Sequence, residues 1–203
     1  MDDEDEETKI KLNNELEQKI FDAFELFDHV GNKTVESQDI GTIIRSLGSC
    51  PLESDIEQMV FKDLEDHKNR GTVHVNKFIP VASSFITAHK YEPPSPDALL
   101  EAFHVLDPLG KGYITREYIT QLMTEKGEPF SQDEIDEMLE VAIDPSTQTV
   151  PYEFYINKLV YEPPPEVSLY AIADAVEAAK PKPAKKTLAE MMAEMHGHDE
   201  EDD

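Results

Sequence analysis

Four twelve-residue stretches hold the side chains whose types and spacing bear on chemistry. They run Asp28 to Asp39, Asp66 to Lys77, Asp107 to Tyr118 and Ile143 to Phe154. Each has a β-branched residue at its eighth position: Val35, Val73, Ile114 and Val150. A spacing of this kind serves the binding of a hard divalent cation. A calcium loop draws oxygen ligands from positions 1, 3, 5, 7 and 9 and a bidentate Glu from position 12. A Gly at position 6 makes the sharp turn.

Tested against that pattern, the four loops keep the shape and lose the ligands. Loop one offers Asp28, Asn32, Thr34 and Asp39 at positions 1, 5, 7 and 12. Val30 stands at position 3 and Lys33 replaces the turn glycine. It is the weak candidate for calcium or magnesium, since Asp39 reaches less far than the usual Glu. Loop two keeps Asp66 and Gly71 but sets Lys68, Arg70 and Lys77 at ligand positions, where they repel a divalent ion. Loop three keeps Asp107 and Gly112 beside Leu109, Lys111 and Tyr118. Loop four begins with Ile143, ends with Phe154 and has no carboxylate at position 3 or 5. The expectation is that no cofactor is required.

Helices must position these loops. Ile20, Phe21, Phe24 and Phe27 have helical spacing, as do Ile40, Ile43, Ile44 and Leu47 ahead of Gly48. Ile56, Met59, Val60 and Leu64 make a third stripe, with Ser54 and Glu57 spaced as a capping box. Phe78, Val81, Ala82, Phe85 and Ile86 make a fourth. A second block repeats the scheme. Ser95-Pro96 starts a helix carrying Leu99, Leu100, Phe103 and Leu106. Ile119, Leu122 and Met123 follow, then a Ser131/Glu134 capping box before Ile135, Met138 and Leu139, and finally Tyr155, Leu159 and Val160.

Prolines at 93, 94 and 96 and at 163 to 165 divide the chain. The expected organisation is an acidic disordered N-terminus (1–11), a first block (12–90), a Pro-rich linker (91–96), a second block (97–162) and a C-terminal extension (163–203). In the extension, Val167 to Ala179 is helix-prone, with Leu169, Ile172, Ala173 and Val176 on one face. Leu188 to Met195 reads as another short helix. The extension is expected to wrap a neighbouring subunit.

The 203 residues carry 44 acids against 18 bases, a formal charge of −26. Such a surface repels phosphates, so nucleic acid and anionic membrane are excluded as partners. Acid runs at Asp2–Glu7 and Asp199–Asp203 read as solvated tails. No stretch is apolar enough to span a bilayer and no secretory signal opens the chain. One cysteine, Cys50, fits a reducing compartment. The His196/His198 pair reads as incidental, and no acid/base couple, activated nucleophile or phosphate-binding glycine loop stands out. No catalysis is expected.

A helix, a twelve-residue loop and a helix, repeated four times, is the EF-hand scheme. Gly41 to Gly48, with Pro51 following, resembles the exit helix of calmodulin's first hand. Ala23-Phe-Glu-Leu-Phe-Asp-His29, Ile40 to Pro51, Met123 to Ser131 and Ala142-Ile-Asp-Pro145 are similar to the EF-hand subunits of the axonemal nexin–dynein regulatory complex. The resemblance covers about residues 12 to 162. It implies a non-catalytic subunit of the link between doublet microtubules in cilia and flagella.

The resulting expectation is an all-α, two-lobe calmodulin-like protein with four largely degenerate EF-hand units, not an obvious homo-oligomer. Its partners are coiled-coil or other helical proteins, gripped in apolar grooves with basic flanks selected by the acidic rim. The core-to-groove candidates are Phe24, Phe27, Ile44, Leu47, Met59, Phe85, Phe103, Leu106, Leu122, Met123, Met138 and Leu159. The rival readings are a calmodulin- or centrin-type calcium sensor and a light chain on a motor's helix.

Overall fold

The computed structural model describes residues 10–65, 71–160, 163–164 and 166–180. Helices dominate them: α1 (Glu15–Glu25), α2 (Ile40–Ser46), α3 (Glu53–Met59), α4 (Val75–Thr87), α5 (Pro96–Leu106), α6 (Arg116–Glu125), α7 (Gln132–Ala142), α8 (Tyr152–Leu159) and α9 (Leu169–Ala179). Among the described residues, no helix is long and apolar enough to cross a membrane.

The helix starts follow local chemistry. Asn14 accepts from the Glu17 N–H at the head of α1. Ser95 accepts from Ala98 ahead of Pro96. Ser131 and Glu134 form the reciprocal capping box that their spacing predicts. The Ser54/Glu57 pair does not. Leu52 is the N-cap of α3 and offers no side-chain acceptor, so Ser54 already lies within the first turn. The orphan N–H groups there are met from elsewhere in the chain, as described below. The third apolar stripe also ends differently. After Met59 the backbone widens into a π-helical turn, Val60–Leu64, which carries Leu64 into the core.

Two short antiparallel ladders tie the loops in pairs. β1 (Thr34–Glu36) meets β2 (Thr72–His74) with Val35 opposite Val73. β3 (Ile114–Thr115) meets β4 (Thr149–Val150) with Ile114 opposite Val150. The β-branched eighth positions are therefore cross-strand neighbours, where such residues pack well.

The buried apolar side chains form two clusters. One gathers α1 to α4, with Phe24 tilted against Phe78 at a ring distance of 5.3 Å. The other gathers α5 to α8, with Phe103 stacked on Tyr152 at 5.4 Å. Helix α9 belongs to the first cluster. It packs on α1 and α4 of its own chain and buries Leu169, Tyr170, Ile172 and Ala173. For Leu169–Ala179 this differs from the expectation that the extension wraps a neighbouring subunit; residues 181–203 lie outside the described residues. Pro164 accepts N–H bonds from Val167 and Ser168, which turns the chain, and the small Ala173 permits close approach to the helices beneath. Leu188 to Met195 lies outside the described residues.

Candidate functional site

All four loops turn through the left-handed region at their sixth position. The φ angles are +64° at Lys33, +87° at Gly71, +79° at Gly112 and +56° at Gln148. Lys33 and Gln148 adopt this conformation although side chains disfavour it. The loop geometry thus persists where the glycine has gone, and Gln148 fixes the register of the fourth loop.

The loop oxygens are engaged by the protein itself. Asp28 Oδ1 accepts from the Gly31 and Asn32 N–H groups at 2.8 and 3.2 Å, and Oδ2 accepts from the Lys33 N–H at 2.8 Å. Burial pushes the Asp28 carboxyl up, but these three N–H groups and the Lys33 ammonium outweigh it, so it sits below the ordinary aspartate range. Asn32 Oδ1 accepts from the Thr34 N–H and hydroxyl at 3.0 and 2.6 Å. Asp39 closes a 3-10 turn, Ser37–Asp39. Val30, at the third position, is 80% exposed. The Lys33 ammonium bonds Glu25 at 3.0 Å and lies 5.1 Å over the Phe21 ring.

Loop three turns its first-position acid inward. Asp107 is buried, and its Oδ2 accepts from the Gly112 N–H at 2.8 Å and the Tyr152 hydroxyl at 3.1 Å. Burial raises its carboxyl, yet the Lys111 and Gly112 N–H groups, Tyr152 and the Lys111 ammonium bring it below the usual range. In loop four, Asp144 Oδ1 accepts from Ser146 at 2.7 Å. Residues 66–70 of loop two, which include Asp66, Lys68 and Arg70, lie outside the described residues. Among the described residues, no three or more His, Cys, Asp or Glu side chains gather as a metal site. The donors present do not fit the six to eight oxygens of a calcium shell.

The groove candidates divide by half. Phe24, Ile44, Leu47, Met59 and Phe85 are buried, and Phe27 is half-buried, in the first cluster. Phe103 is buried in the second, whereas Leu106, Leu122, Met123 and Met138 are only half-buried and Leu159 is 50% exposed. Aligning Asp28 with Asp107 matches Ile20 with Leu99, Ile44 with Met123 and Met59 with Met138. Aligning Val73 with Val150 matches Ala82 with Leu159. In each pair the first residue is buried and the second partly open. These positions are therefore more deeply buried in the first half than in the second. Met59 and Phe85 also border a groove of about 540 Å³ between α3 and α4, whose walls include Asp55, Lys62, Asp63 and Lys90.

Part of the first half, the face on α1 and α4, is covered by α9. Its Tyr170 hydroxyl meets Ser49 Oγ at 2.8 Å in the interior. His89, with φ of +52°, bonds Glu92 through Nδ1 at 2.6 Å and Asp174 of α9 through Nε2 at 3.0 Å. Its ring lies 5.2 Å from that of Tyr170. The Glu92 and Asp174 carboxylates raise the His89 pKa above the ordinary histidine value. The helical spacing of Leu169, Ile172 and Ala173 signals an apolar face, but nothing at Ser49, His89 or Asp174 signals in sequence where that face goes.

A second long-range contact joins the halves. Glu128, in the turn after α6, accepts from the Glu53 and Ser54 N–H groups at 2.9 and 3.1 Å and from the Ser54 hydroxyl at 3.1 Å. It supplies the cap that Leu52 lacks. These bonds, the Glu53 N–H first, hold the Glu128 carboxyl below the ordinary range.

Comparison with known proteins adds the remaining findings. No family model matches the chain. Mouse dynein regulatory complex protein 8 is 46% identical over 148 residues, which are 73% of this chain and 90% of that protein. The human dynein regulatory complex protein 8 is 41% identical over 112 residues, 55% of this chain and 41% of that protein. Two solved structures share the fold. The myosin II regulatory domain of Physarum polycephalum has a TM-score of 0.53 at 22% identity, over 73% of this chain and 97% of that one. Mlc1p bound to IQ2 of the class V myosin Myo2p has a TM-score of 0.54 at 19% identity, over 70% and 96%. At such identities the likeness speaks for the fold alone. The extent and level of identity with the mouse protein show that the chain belongs to the dynein regulatory complex protein 8 family.

Proposed function

We propose that this chain is a non-catalytic structural and regulatory subunit of a dynein regulatory complex, in the axoneme of cilia and flagella. Its two apolar clusters are two EF-hand lobes of two helix–loop–helix units each. It holds helical segments of coiled-coil partners by burying their apolar stripe, and it does so without calcium. The observation that carries this reading is the 46% identity with mouse dynein regulatory complex protein 8 along 90% of that protein. Val30 at the third position of loop one, and Leu109, Lys111 and Tyr118 at the third, fifth and twelfth positions of loop three, support the calcium-free part, since none of these side chains supplies a carboxylate.

Affinity purification from cilia with crosslinking tests it. Crosslinks to coiled-coil subunits of the complex, recovered equally with calcium and with chelator, are expected. Recovery with a motor heavy-chain helix alone would replace the reading with that of a light chain. Recovery that needs calcium would replace it with that of a sensor.

A further inference from the structure

We propose that α9 is a built-in ligand that fills the N-terminal half, so that the C-terminal half alone is the face for an external helix. This rests on the helix-holding function proposed above and assigns it to one half.

The argument begins with the internal repeat. The face formed by α1 and α4 carries α9, an apolar helix whose Leu169, Tyr170, Ile172 and Ala173 are buried there. The equivalent face on α5 and α8 carries nothing among the described residues. At one of the matched positions its side chain is larger where the first half's is small: Leu159 is 50% exposed where Ala82 is fully buried. Leu99 on α5 is half-buried beside the second cluster, as are Met123 on α6 and Met138 on α7. An apolar surface of this kind, rimmed by polar residues, marks an interaction site.

The seated α9 shows what fits such a face: a helix with one apolar side. Charge says how an external helix must differ from α9. The chain as a whole carries −26, and α9 itself carries Asp174 and Glu177. The first half keeps its acidic helix by tethering it covalently and by pairing His89 with Asp174. A separate helix has no tether, so it must be drawn in by the opposite sign. The occupant is therefore a partner helix with an apolar stripe and basic flanks.

A synthetic amphipathic helix of leucine and lysine with a single tryptophan reads this out, because the chain contains no tryptophan. The titration is run on the full chain at about 0.15 M salt, where rim charges still act over about 8 Å, and repeated with glutamate in place of lysine in the same peptide, which is expected to bind more weakly; equal binding of the two peptides would overturn the basic-flank requirement. One peptide per chain is expected. Leu99→Asp combined with Leu159→Asp is expected to weaken it at least ~10-fold, a difference of ~1.4 kcal/mol. Ile172→Asp is expected to free a second site, giving two peptides per chain. Leu169→Ala with Ile172→Ala is the gentler variant, and circular dichroism verifies that each variant stays helical. Two peptides on the unaltered chain, indifference to the Leu99/Leu159 pair, or no added site in either α9 variant would overturn the assignment. Absence of binding to every variant would overturn the helix-holding function as well.

Discussion

The Tyr170 hydroxyl and Ser49 Oγ lie 2.8 Å apart in the interior although 121 residues separate them in the chain. Each is the other's partner, and burial raises the Tyr170 phenol above its ordinary range. Removing one leaves the other buried without a bond. Tyr170→Phe is expected to cost ~1–3 kcal/mol of stability in urea unfolding. Ser49→Ala combined with Tyr170→Phe is expected to cost less than the two single changes summed, which a double-mutant cycle measures.

His89 makes the α9 contact depend on pH. Its pKa is raised in the folded chain by Glu92 first and Asp174 second. A raised histidine pKa stabilises below the unfolded value of about 6.5, and that contribution is lost as pH rises through the folded value. His89 faces both carboxylates and the Tyr170 ring. The ring protons of His89 are expected to titrate above the ordinary value by NMR. Thermal melts are expected to lose part of their pH dependence above about pH 6.5 in His89→Gln. An unchanged melting profile in that variant would refute the linkage.

Burial separates two of the groove candidates energetically. Phe24 is 1% exposed, so Phe24→Ala opens a cavity beside Phe78 and is expected to cost ~3–5 kcal/mol. Leu159 is half out of the core, and Leu159→Ala is expected to stay within ~1 kcal/mol while weakening partner binding. Chemical denaturation and co-purification of the partner distinguish the two effects.

Loop one tests the calcium-free reading. Isothermal calorimetry of the native chain is expected to show no calcium binding in the ~10⁻⁷–10⁻⁵ M range of sensors. The triple variant Val30→Asp, Lys33→Gly, Asp39→Glu restores the third, sixth and twelfth positions. It is expected to bind calcium within that range, because the left-handed turn at position 33 already exists.

The helical class, the pairing of Val35 with Val73 and of Ile114 with Val150, and the capping box at Ser131 were legible in the sequence because each depends on local spacing. The Ser54/Glu57 pair misleads for an instructive reason. Its spacing suits a capping box, but the helix begins at Glu53, and a distant carboxylate from Glu128 serves the first turn instead. The groove candidates were legible as apolar positions only. Whether the face on α1 and α4 or that on α5 and α8 is covered depends on where α9 docks, and the contacts of Ser49, His89 and Asp174 that hold it there are made by polar residues with no periodic signature.

The Glu128 cap has a mechanical consequence. One carboxylate, accepting three hydrogen bonds, pins the turn after α6 to the head of α3. Hydrogen bonds give way over a short displacement, whereas a packed apolar interior resists until many contacts part together. The pin is polar and small beside either apolar cluster, so a load that separates the turn after α6 from α3 is expected to break it before either core opens. Such a joint can close again once the load is removed.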